Sequence, residues 1–179
     1  MSLLERDRIA PALTAAELAK SLAPRAGAVR EVLGIVLYRA ERYREALREL
    51  QAYRRMTGRV DQNHLIADAY RAIGAPDKAV SAVQEVIRSS APDEVRSEAA
   101  IVGASALADG GRFGEALSLL RSYRARDGAV RPHDLRRWYV AGDILERAGR
   151  GQDAAEEFRR IVRHDTGAFD AAERLAKLE

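Results

Sequence analysis

His64 and Asp68 are a pair whose types and spacing could do chemistry. Four positions apart on a predicted helix, their side chains can meet, with Cβ atoms about 6 Å apart. Such a pair could pass a proton or supply part of a metal shell. Neither role is complete, because no nucleophile or second histidine has a predictable place beside them. A surface ion pair is the simpler reading. His133 falls at a helix entrance, and His164 falls near a helix end, where it suits the negative pole of the helix dipole. Gly110-Gly111-Arg112-Phe113-Gly114 has the glycine density of a phosphate loop. It lacks the preceding strand and the following Lys-Ser/Thr, so it reads as a turn. The chain has no cysteine, which removes disulfides, thiolate nucleophiles and cysteine-ligated metals together. No catalytic residue, metal site or cofactor is expected, and the protein reads as a non-enzyme.

Arginines gather at the ends of several predicted helices: Arg54, Arg55, Arg121, Arg124, Arg126, Arg159, Arg160 and Arg163. A stripe of this kind could contact phosphates. Cations at helix C-termini also complement the dipole and keep a surface solvated. Aromatics make up only 6% of the chain, so no platform for stacking bases is evident and nucleic acid is a disfavoured partner.

These groups must be positioned by helices. The chain has 179 residues, 47% hydrophobic and 32% charged, which fits a folded domain with a real core. Ala, Leu, Arg and Glu dominate, and that bias favours helix. Net charge is only +3, with all but three of the 30 basic residues being Arg. No window approaches the roughly 18 apolar residues of a membrane span. The start, Met1 to Arg8, has no apolar run of signal length, so a cytoplasmic protein is the expectation, and the Arg-rich, Ala-rich, Lys-poor composition is that of a bacterial chain from a GC-rich genome.

An internal repeat organises the whole chain. A small residue on a first helix, A, is followed twelve positions later by one on a second helix, B: Gly34 and Ala46, Ala67 and Ala79, Ala104 and Ala116, Gly142 and Ala154. Three after the first marker stand Leu37, Tyr70, Leu107 and Leu145, and seven after it the turn positions Glu41, Gly74, Gly111 and Gly149. Sixteen after it stand Leu50, Val83, Leu120 and Phe158, and about nineteen after it Tyr53, Val86, Tyr123 and Val162. Small residues let A and B approach, larger ones interlock around them, and a left-handed residue ends helix A. One such hairpin cannot bury its apolar face alone, so the hairpins must stack.

The pattern resembles the tetratricopeptide repeat, carried by Gly34, Leu37, Tyr43, Ala46 and Leu50 in the first copy and by Trp138, Gly142, Leu145, Gly149, Ala154 and Phe158 in the fourth. Glu41 stands where the family has its turn glycine, Pro76 and Gly151 where it has the turn aromatic, and the closing proline is missing. A likeness to tetratricopeptide proteins of actinobacteria adds no activity. The resemblance implies an all-α solenoid, a right-handed stack of helix-turn-helix repeats at about 27–59, 60–96, 97–134 and 135–168, with a cap at 169–179.

Thr14 and Glu17 form a capping-box pattern, and Leu18 and Leu22 share a face, so residues 14–23 read as a half-repeat that opens a single domain, 14–179. Residues 1–13 read as a disordered segment, or one folding back through Leu3, Leu4 and Ile9. Ser90 is the expected cap of the third helix A, with acids following in its first turn.

The resemblance also implies a concave face lined by helix A. Its positions here are Glu31, Ile35, Tyr38 and Arg39; Asp61, His64, Asp68 and Arg71; Glu98, Ile101, Ser105 and Asp109; and Arg136, Tyr139, Asp143, Glu146 and Arg147. Seven acids against four arginines give this face −3 on a chain of +3. A basic or amphipathic peptide would suit it, with Tyr38, Tyr139, Ile35 and Ile101 as anchors. Paired charges on an ordinary solvated face are the plainer alternative. A self-associating, homodimeric module is the next reading, since the lone N-terminal helix leaves an incomplete repeat. No Asn/Lys/Arg clamp for a C-terminal carboxylate is recognisable.

Overall fold

A computed structural model describes residues 3–122 and 130–179, all of whose regular elements are helices. Tyr123, Arg124 and Arg126 lie outside the described residues. The chain divides into two compact units, Met1–Ser89 and Ser90–Glu179. The first holds α1 (Leu3–Leu22), α2 (Gly27–Arg39), α3 (Tyr43–Thr57), α4 (Asn63–Ala72) and α5 (Pro76–Arg88). The second holds α6 (Asp93–Asp109), α7 (Phe113–Ser122), α8 (Pro132–Arg147), α9 (Gly151–His164) and α10 (Ala171–Leu178).

Each expected A–B hairpin is present: α2 with α3, α4 with α5, α6 with α7, and α8 with α9. The marker alanines Ala46, Ala67, Ala79, Ala104, Ala116 and Ala154 are fully buried. At the glycine markers the approach is closer still. A Cβ on Gly34 would stand 2.6 Å from Leu50 Cδ2, and one on Gly142 would stand 2.7 Å from Phe158 Cε1. Leu50, Val83 and Phe158 are sealed, as are Tyr53 and Val86. In the fourth repeat the residue closing this seam is Ile161, not Val162; Ile161 keeps the strict spacing and is fully buried, while Val162 is half-buried.

Every A–B turn uses the same geometry. Gly74, Gly111 and Gly149 have φ of 73–75°, and Glu41 has φ of 59°. The next residue donates its N–H to a carbonyl five back: Arg42 to Leu37, Ala75 to Tyr70, Arg112 to Leu107 and Arg150 to Leu145. A side chain in this region costs about 1–2 kcal/mol, part of which is offset because glycine has more freedom to lose on folding. Glu41→Gly is therefore expected to stabilise the chain by about 0.5–1 kcal/mol, read as a higher urea midpoint. An unchanged midpoint would mean the turn relaxes around Glu41.

Two helix starts differ from expectation. The N-terminal helix begins at Leu3, eleven residues before Thr14, which lies inside it and donates to the Ala10 carbonyl at 3.2 Å. The Thr14–Glu17 capping box is thus not formed. Nor is the Leu18/Leu22 face the packing face, since these residues are 59% and 78% exposed. Leu13 and Ala16 pack instead against Leu33, Leu37, Ala46 and Tyr38, because small Ala16 lets α1 sit close on α2. In the second unit Pro92, not Ser90, caps α6. A residue before proline is pushed out of the helical region, so Ala91 delays the start. Asp93 and Glu94 still occupy the first turn.

Candidate interaction faces of the A helices

In the first unit the A helices are α2 and α4. Tyr38 on α2 donates its hydroxyl to Asp68 Oδ2 on α4, and Arg71 Nε donates to Asp68 Oδ1 at 2.9 Å. Tyr38 also meets Tyr43 edge-on, with ring centroids 5.8 Å apart. Burial, then the bond to Asp68, raises the Tyr38 phenol well above its ordinary value. Glu31 accepts a bond from Gln62 Nε2 at 2.7 Å, and Asp61 accepts from the Tyr53 hydroxyl at 3.1 Å and from Arg59 at 2.8 Å. His64 does not pair with Asp68. Its Nδ1 lies 2.9 Å from the Asp61 carbonyl, while Asp68 is engaged by Tyr38 and Arg71. Arg39 is exposed and Ile35 half-buried.

In the second unit Arg136 meets Glu98 at 3.2 Å, and Arg147 reaches Asp109 at 3.2 Å and the Ala108 carbonyl at 3.0 Å. Ser105 is half-buried. Ile101, an expected anchor, is only 5% exposed and belongs to the core. Tyr139, Asp143 and Glu146 converge on one group, Arg174 of α10. Its Nη2 donates to Asp143 Oδ1 at 3.0 Å and to Glu146, and its Nη1 to the Tyr139 hydroxyl at 3.2 Å. The guanidinium lies over the Phe158 ring at 4.7 Å and the Tyr139 ring at 5.3 Å. The Tyr139 hydroxyl donates to Asp170 at 2.7 Å, and its ring lies 4.7 Å from that of Phe169. Burial alone would lower the Arg174 pKa; hydrogen bonds to Glu146, Tyr139 and Asp143 outweigh it and raise it.

The helix-A positions are thus brought together within each unit, but many face one another. Sequence reasoning missed Gln62, Asp170 and Arg174. A signal was present: Asp170 and Arg174 each fall 31 residues after the group they hold, Tyr139 and Asp143, close to one repeat length.

The arginine stripe is partly neutralised. Arg54 pairs with Glu85 at 2.6 Å and Arg159 with Glu179 at 2.7 Å. Arg160 lies 3.6 Å from Glu157 and sits over the Trp138 ring at 4.3 Å. Arg55, Arg121 and Arg163 are exposed. Among the described residues no helix is long and apolar enough to cross a membrane.

Helical hairpins with small-residue seams and left-handed turns define a repeat scaffold, whose fold class generally serves protein–protein contact. Residues 101–171 match the family model of the tetratricopeptide repeat, and the rest of the chain carries the same hairpin. Solved structures agree on the fold. YrrB, described as a TPR protein with an unusual peptide-binding site, superposes with a TM-score of 0.67 at 20% identity, over 98% of this chain and 86% of its own. TTC0263, a thermophilic TPR protein of Thermus thermophilus, gives 0.69 at 16% identity, over 98% and 93%. The C-terminal part of a TPR repeat-containing protein from Cytophaga hutchinsonii gives 0.75 at 12% identity, over 98% and 67%. No curated protein matches. The matched segment, residues 101–171, is tetratricopeptide repeat, and the chain as a whole has the fold of TPR proteins.

Proposed function

We propose that this protein is a non-catalytic scaffold that binds a basic or amphipathic peptide segment of a partner protein on the exposed faces of its A helices. The observation that carries this reading is the Tyr38–Asp68–Arg71 arrangement. It holds a half-buried aromatic in one orientation beside half-buried Ile35 and exposed Arg39. An anchor whose rotamer is already fixed loses little entropy on binding, so its contact area converts more fully into affinity. Asp68 and Asp61 are offset by Arg71 and Arg59, whereas Glu31, held by the uncharged Gln62, keeps its negative charge at this face, which favours a cationic partner. The description of YrrB as peptide-binding is a fold-level analogy in the same direction.

The reading is tested by crosslinking capture from the native host, with the intact chain and with Tyr38→Ala plus Asp68→Lys. The double variant removes the anchor and reverses the charge beneath it. It is expected to lose the partner while its circular dichroism stays helical. Equal capture by both chains would sink the reading.

A further inference from the structure

Arg174 occupies a site with the chemistry of an arginine receptor. A guanidinium is planar and fivefold donating, and it is weakly hydrated, so it is best held by carboxylates at its edge and aromatic rings at its face. The α8–α9 hairpin offers both. Asp143 and Glu146 accept from Nη2, the Tyr139 hydroxyl accepts from Nη1, and the guanidinium carbon lies 4.7 and 5.3 Å from the centres of the adjoining Phe158 and Tyr139 rings. Only 17% of the Arg174 side chain reaches solvent.

Apart from Arg174, the helix that delivers it is held by exposed polar contacts, Asp170 on the Tyr139 hydroxyl at 2.7 Å and Glu179 on Arg159 at 2.7 Å, and by a short apolar edge against α9. α10 has eight residues, of which Ala171 alone is buried, while Leu175 and Leu178 are half-buried. Its entry is strained: Phe169 has φ of 57°, a left-handed conformation that residues other than glycine rarely adopt. The Phe169 ring meets Tyr139 on one side yet is 52% exposed. A short helix with a strained entry and one strongly held side chain can be exchanged for another that presents the same side chain.

We propose that the α8–α9 face around Tyr139, Asp143, Glu146 and Phe158 is a binding site for an arginine-bearing amphipathic helix, and that the chain keeps it closed with its own α10. This rests on the reading of the A-helix faces as partner surfaces and names the partner chemistry for one of them. Tethering gives α10 an effective concentration in the millimolar range, so a free helix cannot enter until α10 is released.

The test uses the full chain and a fluorescein-labelled peptide of residues 167–179 as probe. Arg174→Glu sets a carboxylate against Asp143 and Glu146, so α10 leaves. Hydrogen exchange is expected to show loss of protection in α10 with α8 and α9 still protected. Anisotropy is expected to show the peptide binding the Arg174→Glu chain about tenfold or more tighter than the unaltered chain. A peptide carrying Arg174→Gln should lose about tenfold in return. Should Arg174→Glu also expose α8 and α9, the milder Arg174→Gln chain takes its place with the same readouts. Undiminished α10 protection, no peptide binding to the opened chain, or equal binding to both chains would each overturn the proposal. None of these outcomes touches the Tyr38 test in the first unit, so the two readings fail separately.

Discussion

Phe158→Ala is expected to destabilise the second unit by about 3–5 kcal/mol, the range for emptying a buried aromatic site. Phe158 has no solvent exposure and fills the space that Gly142 leaves on α8. That space cannot collapse onto a smaller side chain without moving α8 against α9, because the gap is already set by a residue with no Cβ. The same ring lies 6.0 Å from that of Tyr139 and carries the Arg174 guanidinium, so its loss also loosens α10. Against a typical stability of about 5–15 kcal/mol, such a change removes much of what holds a domain folded. In a stacked-repeat protein the loss falls mainly on the altered repeat and its neighbours. Urea denaturation followed by circular dichroism should show an early transition absent from the parent chain. A loss below about 1 kcal/mol would mean that α8 and α9 close over the gap.

Lys20→Ala combined with Arg30→Ala is expected to cost about 3 kcal/mol near neutral pH, the low end for breaking a buried ion pair because both cations retain some solvent contact. Their shared partner is Glu49, a buried carboxylate in the interior of the first unit. Lys20 Nζ meets its Oε1 at 2.7 Å and Arg30 Nη1 its Oε2 at 2.6 Å. Burial pushes the Glu49 carboxyl up, but the hydrogen bonds from Lys20 and Arg30 outweigh it and hold the group below its ordinary value. In the parent chain a depressed carboxylate contributes stability above its unfolded value, about 4.3, which is lost as pH falls through the folded one. With both cations gone only burial remains, and the sign reverses. The variant's deficit is full above the raised Glu49 value and shrinks as acid neutralises the group. Denaturation at pH 7 and pH 4 should therefore show a large gap that narrows. A gap independent of pH would assign the loss to side-chain packing.

What could be read directly from the chain was periodic. Gly34 and Ala46, and their counterparts in three further hairpins, are local in the sense that each pair lies on adjacent helices twelve residues apart. The close approach they permit needs no knowledge of the rest of the molecule. The turn positions were legible for the same reason, and even Glu41 holds to the left-handed geometry its register demands. Helix starts were less legible. Thr14 and Glu17 have the spacing of a cap, yet the preceding residues continue the helix, and a cap is formed only where the chain enters it.

The sequence by itself determined that this is a stack of helical hairpins, because the small-residue seam, the turn and the interlocking large residues repeat at fixed intervals along one chain. Only the tertiary structure decided which of the helix-A side chains already have partners. Tyr38 is held by Asp68, Glu98 meets Arg136, Ile101 is buried, and Tyr139, Asp143 and Glu146 share Arg174. The physical reason is distance along the chain. A seam contact follows from helical periodicity, whereas a hydrogen bond between groups 30 or so residues apart depends on how one hairpin is rotated against the next. That rotation is set by the sum of many packing contacts; a spacing near one repeat length marks which groups can face each other, and the rotation decides which of them bond.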